Sequence, residues 1–161
     1  MPPRTATISR LTPNSADIGT VADWRHDQWF RDEGFSRAQT HAQLRQFVEA
    51  VDDGDGGHEI ALVARLDGVP AGTCLLVREE INPHHDVTPW LAGLYVEPQF
   101  RSLGIGSDLV RAIERHGRSR GVQRLYLYTD RAEPFYGRLG WGVAERFSWH
   151  SEPFVLMQKD L

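Results

Sequence analysis

Arg101-Ser102-Leu103-Gly104-Ile105-Gly106 is the stretch from which the fold of this chain is read. It follows a short apolar run at 90–96 and opens a helix-like stretch at 107–120. A strand that turns through two glycines into a helix leaves a row of backbone N–H groups pointing outward. The helix dipole adds partial positive charge at the same place, which makes a docking point for a pyrophosphate. The other reading of these glycines is a tight turn without a ligand.

The pattern continues on both sides of the turn. The helix carries Ile105, Leu109, Val110 and Ile113 at core spacing and should end near Gly117 or Gly121. The segment 124–129 alternates, Leu125 and Leu127 on one face and Tyr126 and Tyr128 on the other, as a strand does. A short helix at 132–139 stops at Gly140, and 141–150 with 154–159 read as a closing pair of strands. Upstream, two β-rich runs at 59–66 and 69–78 flank Asp67-Gly68, a hairpin signal. A first strand at 5–11 precedes a helix with Ile18, Val21, Ala22 and Trp29 at roughly helical spacing. Ser36-Arg37-Ala38-Gln39 has the form of a capping box, ahead of a helix with Leu44, Phe47, Val48 and Val51 on one face. The count is about seven strands and four helices in a mixed sheet, an α/β chain.

Bulk properties narrow the function. The 161 residues fit one domain with one core, and a 40% hydrophobic, 25% charged composition is that of a globular protein. A formal net charge of -4 argues against general nucleic-acid binding, and Arg111, Arg115, Arg118 and Arg120 read as a solvated helix face. Cys74, the one cysteine, lies in an apolar stretch and reads as a buried thiol. The loop 52–58 holds Asp52, Asp53 and Asp55, but the twelfth position of a calcium loop is Val63, so it reads as a solvated turn. No apolar run is long enough to span a bilayer, and the amino terminus lacks the apolar core of a signal peptide; a cytoplasmic location is expected. A dinucleotide fingerprint fails at Leu109, and the Gly-Lys-Ser/Thr of a P-loop is absent.

Two segments resemble motifs of the GNAT N-acetyltransferase superfamily. Residues 94–110 contain Arg101, Gly104 and Gly106 in the order Arg/Gln, two residues, Gly, one residue, Gly/Ala of its acetyl-CoA motif. Residues 129–141 contain a helix tyrosine, Tyr136, and a terminal Gly140-Trp141 pair, as the following motif does. The resemblance spans roughly residues 59–147. It implies a single domain over 1–161, a mixed and mostly antiparallel sheet splayed between the fourth and fifth strands, and acetyl-CoA as cosubstrate.

The resemblance also implies roles for residues. The backbone of Leu94, Tyr95 and Val96 should pair with the pantetheine arm. The amides of Arg101, Ser102, Leu103, Gly104, Ile105, Gly106 and Ser107 should hold the pyrophosphate, with glycine needed at 104 and 106 for close backbone approach. The Arg101 side chain either reaches a phosphate oxygen or is solvated. Thr129 stands where many relatives carry a cofactor-touching Asn. A backbone N–H near Leu94 should serve the oxyanion, and Tyr136 should be the general acid for the leaving thiolate, or else pack on the cofactor. Histone-acetylating relatives place a glutamate base where this chain has Trp90. Glu79, Glu80, His84, His85, Asp86, Glu97 and a water chain therefore stand as alternatives. His84-His85-Asp86 reads as a solvated loop, so no metal is expected.

The acceptor implied is an amine of a small molecule or peptide. Trp24, Trp29, Phe30, Phe35 and Trp90 either line its groove or belong to the core, with core the reading for most of them. Asp27, Asp32, Glu33, Glu79 and Glu80 would attract a cationic amine. A homodimer is left open, and a silent acyl-CoA sensor is the alternative to an enzyme.

Overall fold

Asp67 and Gly68 take φ values of +54° and +79°. Two successive positive φ values match the right-handed twist of paired strands, so strand β2 (Ile60–Leu66) turns directly into β3 (Val69–Val77). The computed structural model describes residues 4–52, 57–80 and 83–161. The Asp53 and Asp55 carboxylates considered for calcium, and the side chain of Asp52, lie outside the described residues.

The remaining elements are β1 (Thr7–Arg10), α1 (Ile18–Arg25), α2 (Arg37–Asp52), β4 (Trp90–Val96), α3 (Ile105–Ser119), β5 (Arg124–Thr129), α4 (Glu133–Arg138), β6 (Gly142–Trp149) and β7 (Glu152–Asp160). Among the described residues the seven strands form one sheet in the order β1-β2-β3-β4-β5-β7-β6. All pairings are antiparallel except β4 with β5. The seven-stranded, four-helix expectation is met. The closing strands do pair, but β7 inserts between β5 and β6.

Helices cover both faces of the sheet, which is why β2 and β3 are apolar nearly throughout. On one face α3 buries Ile105, Leu109, Val110 and Ile113 against Leu62, Leu76, Leu125 and Leu127. On the other, α1 and α2 bury Ile18, Val21, Leu44 and Val48 against Val63, Leu75 and Trp90. Burial of this kind is worth about 25 cal/mol per Å² of apolar area.

Local signals act as read. The Ser36 hydroxyl accepts the Gln39 N–H at 3.1 Å, and the Gln39 amide oxygen accepts the Ser36 N–H at 2.8 Å, which closes the capping box of α2. Gly121, at φ +81°, ends α3: its N–H bonds the Arg118 carbonyl and the Val122 N–H bonds that of Gly117, a Schellman motif.

One expectation differs. Trp29 does not share the buried face of Ile18, Val21 and Ala22; it is 39% exposed. After α1 the chain makes a π-helical turn at His26–Phe30, closed by Arg31 N–H to His26 O at 3.0 Å. The wider turn breaks the 3.6-residue spacing on which the reading rested.

Gly72 in β3 sets the closeness of the central layer. A Cβ there would lie 2.7 Å from the Tyr95 carbonyl oxygen and 3.2 Å from Leu109 Cδ1. Gly72→Ala is expected to cost about 2 kcal/mol and to lower Tm by about 4–8 °C in thermal unfolding.

Candidate active site

The site begins at an irregularity in β4. Thr73 faces Tyr95 while Leu75 faces Ala92, so Gly93 and Leu94 together oppose Cys74. This is a β-bulge, and Gly93 takes the φ of +64° that glycine allows. A bulge bends its strand and disrupts the ladder locally. Beyond it, Tyr95 and Val96 still pair with Thr73 and Gly72 on the β3 side. Among the described residues, the β4–β5 pairing is Trp90 with Tyr126, at the start of β4. The two parallel strands therefore separate along Ala92–Val96, and the backbone of Leu94, Tyr95 and Val96 edges the opening.

The turn at 101–106 stands at the end of β4. Ser102 (φ +65°) and Gly104 (φ +81°) are both left-handed. Gly104 is the N-cap of α3, and among the described residues no side chain caps the helix. The Asp108 N–H makes the first helical bond, to Gly104 O at 3.0 Å. The amides of Ile105, Gly106 and Ser107 precede it and point out of the first turn. Gly104 is demanded by its dihedral, since a Cβ would meet nothing within 4 Å. At Gly106 a Cβ would make only ordinary contacts, 3.5 Å from Phe135 and 3.7 Å from Val96. The protein itself does not require glycine at 106.

Arg101, Ser102 and Leu103 are exposed, while Ile105 anchors the turn in the core. Arg101 folds back: its Nε donates to Val96 O at 2.9 Å and its guanidinium lies 5.9 Å from the Tyr95 ring. The buried Thr129 hydroxyl accepts the Ala132 N–H at 3.0 Å and so closes the turn from β5 into α4.

Tyr136 comes from α4 and is 6% exposed, packed edge-on to Phe135 and Trp141. Burial, with Cys74 nearby, pushes its phenol above the ordinary range. Burial likewise pushes the Cys74 thiol up, which makes it a poor nucleophile. The position of α4 is held by Glu114 of α3. This buried carboxylate accepts from Lys159 Nζ at 2.6 Å and from Trp141 Nε1 at 3.4 Å, and Lys159 also donates to Leu139 O at 2.8 Å. Glu114 shares the i, i+3, i+4, i+7 stripe of Val110, Ile113 and Gly117, a signal by which it could have been found in the sequence.

On the α1/α2 side, Trp24, Phe30 and Trp90 are core residues, Phe35 is half-buried and Trp29 borders the bulge. Arg25 was not anticipated. Its Nη1 makes no hydrogen bond among the described residues and lies where a Cβ of Gly93 would be. Burial lowers its guanidinium to about 10, with the charge of Glu80 opposing. Arg25, Phe47, Glu59, Arg78, Glu79 and Glu80 line part of a groove of about 350 Å³. Asp27 is engaged by Arg31 and Arg37, and Glu33 lies 3.6 Å from His150. His84 and His85 lie against Tyr128 and Phe147. Among the described residues no group of three His, Cys, Asp or Glu side chains is placed to hold a metal, and no helix is long and apolar enough to cross a membrane.

This architecture has known counterparts. An aminoglycoside 6'-N-acetyltransferase complexed with coenzyme A is 20% identical with a TM-score of 0.70, covering 96% of each chain. The enzyme of that name from Enterococcus faecium is 19% identical with a TM-score of 0.70, again over 96% of each chain. An N-acetyltransferase from Thermoplasma acidophilum in complex with coenzyme A is 19% identical with a TM-score of 0.64, covering 98% of this chain and 99% of that one. No curated protein matches the sequence. At these identities the structures establish the fold. The family profile described as "Acetyltransferase (GNAT) family" matches residues 19–141, most of the chain and both motifs, and the protein therefore belongs to the GNAT acetyltransferase family.

Proposed function

We propose that this protein transfers the acetyl group of acetyl-CoA directly to a primary amine of a small molecule or peptide. The observation that carries the reading is the pairing of an opened β4 edge with an uncapped α3 amino terminus. The glycine at position 106 adds to it. No neighbour in the protein requires it, whereas close approach of a phosphate to the first-turn amides does. Leu94, Tyr95 and Val96 offer backbone groups to the amides of a pantetheine arm. The residues from Arg101 to Ser107 offer theirs to the pyrophosphate. Arg101 contributes by bracing the end of β4.

Acetyl-CoA supplies a thioester; the chain supplies position, a dry wall and proton traffic. The bulge at Gly93–Leu94 re-aims a backbone N–H toward the developing oxyanion, since a bulged residue is released from the ladder. The neutral amine attacks, the C–N bond forms as the C–S bond breaks, the leaving thiolate takes the Tyr136 proton, and the proton shed by the new amide nitrogen restores the Tyr136 phenol. The acceptor enters from the α1/α2 side, past Trp29 and the groove with Glu79 and Glu80, whose charges favour a cationic amine.

The test is release of free thiol from acetyl-CoA over a panel of primary amines, run with calorimetry of coenzyme A. Turnover by at least one amine is expected, with cationic amines preferred at low salt. Coenzyme A binding without turnover across the panel would make the protein an acyl-CoA sensor. No affinity for coenzyme A would reject both.

A further inference from the structure

The loop between β3 and β4 brings a histidine to the mouth of the splay. His85 Nδ1 lies 2.8 Å from the Tyr128 hydroxyl, and its Nε2 makes a close contact with the Glu145 carboxylate of β6. The backbone N–H of His84 donates to the same Tyr128 oxygen at 3.0 Å. A carboxylate only accepts, so the Nε2 of neutral His85 carries the proton and Nδ1 is the acceptor. Tyr128 then donates to Nδ1. Its oxygen accepts the His84 N–H, and the backbone N–H of His85 acts on it as well. Hydroxyl, imidazole and carboxylate follow one another in the order by which an oriented imidazole acts as a base.

The placement is as specific as the chemistry. Tyr128 is two residues beyond Tyr126, where β5 pairs with β4, and its ring lies 4.6 Å from that of Trp90. It shares the α1/α2 side of the sheet with Trp90 and Tyr126, away from Leu125 and Leu127. The rings of His84 and Phe147 pack on Tyr128, and Phe147 also packs on His85. The outer end is open: the side chain of Glu145 is 55% exposed and that of His85 19%. β4 itself, Trp-Leu-Ala-Gly-Leu-Tyr-Val, has no carboxylate or imidazole.

We propose that Tyr128, His85 and Glu145 form the proton exit for the acceptor amine, with His85 as base. The inference rests on the N-acetyltransferase reading above. The substrate ammonium gives a proton to the Tyr128 oxygen as the Tyr128 proton passes to His85 Nδ1. The products are a neutral amine and an imidazolium held by Glu145, which returns its proton to solvent. Tyr128 touches the substrate; Glu145 acts through His85 as a positioning residue. The titratable groups facing His85 are Tyr128 from β5 and Glu145 from β6, with His84 beside it on the loop. Glu80 acts on Tyr128 through its charge.

The experiment compares two acceptors of one skeleton: an alkylamine, cationic at pH 7, and its O-alkylhydroxylamine analogue, already neutral there. His85→Gln is expected to lower kcat/KM for the alkylamine about 100-fold at pH 7, to flatten the acid limb of its pH profile, and to leave the neutral analogue within about threefold of wild type. Tyr128→Phe, which keeps the ring, should show the same selectivity. Equal losses for both acceptors, or an intact acid limb in His85→Gln, overturn the relay and leave the acetyltransferase reading standing. A wild-type protein that turns over neither acceptor overturns both.

Discussion

Tyr136→Phe is expected to lower kcat at saturating acetyl-CoA about a thousand-fold, while KM for acetyl-CoA stays within about threefold. The ratio corresponds to about 4 kcal/mol of barrier. The substitution removes one oxygen from a ring fixed by Phe135 and Trp141, so the packing that shapes the pocket survives. Burial raises the Tyr136 phenol above its usual range. A raised phenol is a weaker acid, yet a thiolate leaving into the same dry pocket is raised as well, and the two stay matched. The sign for pH follows. The donor form is the protonated one, and a raised pKa keeps it protonated to higher pH. This phenol therefore imposes no alkaline fall in rate below about pH 10. Steady-state and single-turnover kinetics across pH provide the check. An unchanged kcat would mean that Tyr136 only packs.

The largest expected effect on stability is at Glu114. Glu114→Ala strands the Lys159 ammonium in a half-buried site and leaves the Trp141 indole N–H without its partner. Removing one member of such a pair costs about 3 kcal/mol, which in a domain of this size lowers Tm by about 6–12 °C. The activity of the folded fraction should fall too, because Lys159 and Trp141 set the turn that ends α4 and hence the height of Tyr136. The double replacement Glu114→Leu with Lys159→Met should recover most of the stability, since an apolar pair carries no stranded charge. Denaturant melts of the wild type, Glu114→Ala and the double variant provide the check. A loss under about 1 kcal/mol for Glu114→Ala would show that the pair is not holding the helix.

Much of the fold was legible in the residues because the signals are local. Asp67-Gly68 demands a hairpin through its dihedrals, Ser36 and Gln39 cap their own helix, and Gly121 ends α3. The alternation of Leu125, Tyr126, Leu127 and Tyr128 assigns each side chain to a face. The turn at 101–106 was legible for the same reason. Its glycines, which free the first-turn amides of α3 from any side-chain cap, are read directly from the residues. The π-helical turn was not legible, because His26–Phe30 reads as ordinary helix and one extra residue per turn turns Trp29 outward.

What the sequence by itself determined is the order of elements, the helix ends, the two apolar faces and the glycine turn into α3, all set by interactions within a few residues. Tertiary structure alone decided the insertion of β7 beside β5, the meeting of Glu114 with Lys159, and the meeting of His85 with Tyr128 and Glu145. These contacts join residues more than twenty-five positions apart, and no local propensity encodes them. They arise where elements distant in the chain meet across one sheet, β7 beside β5 and the β3–β4 loop beside β5 and β6.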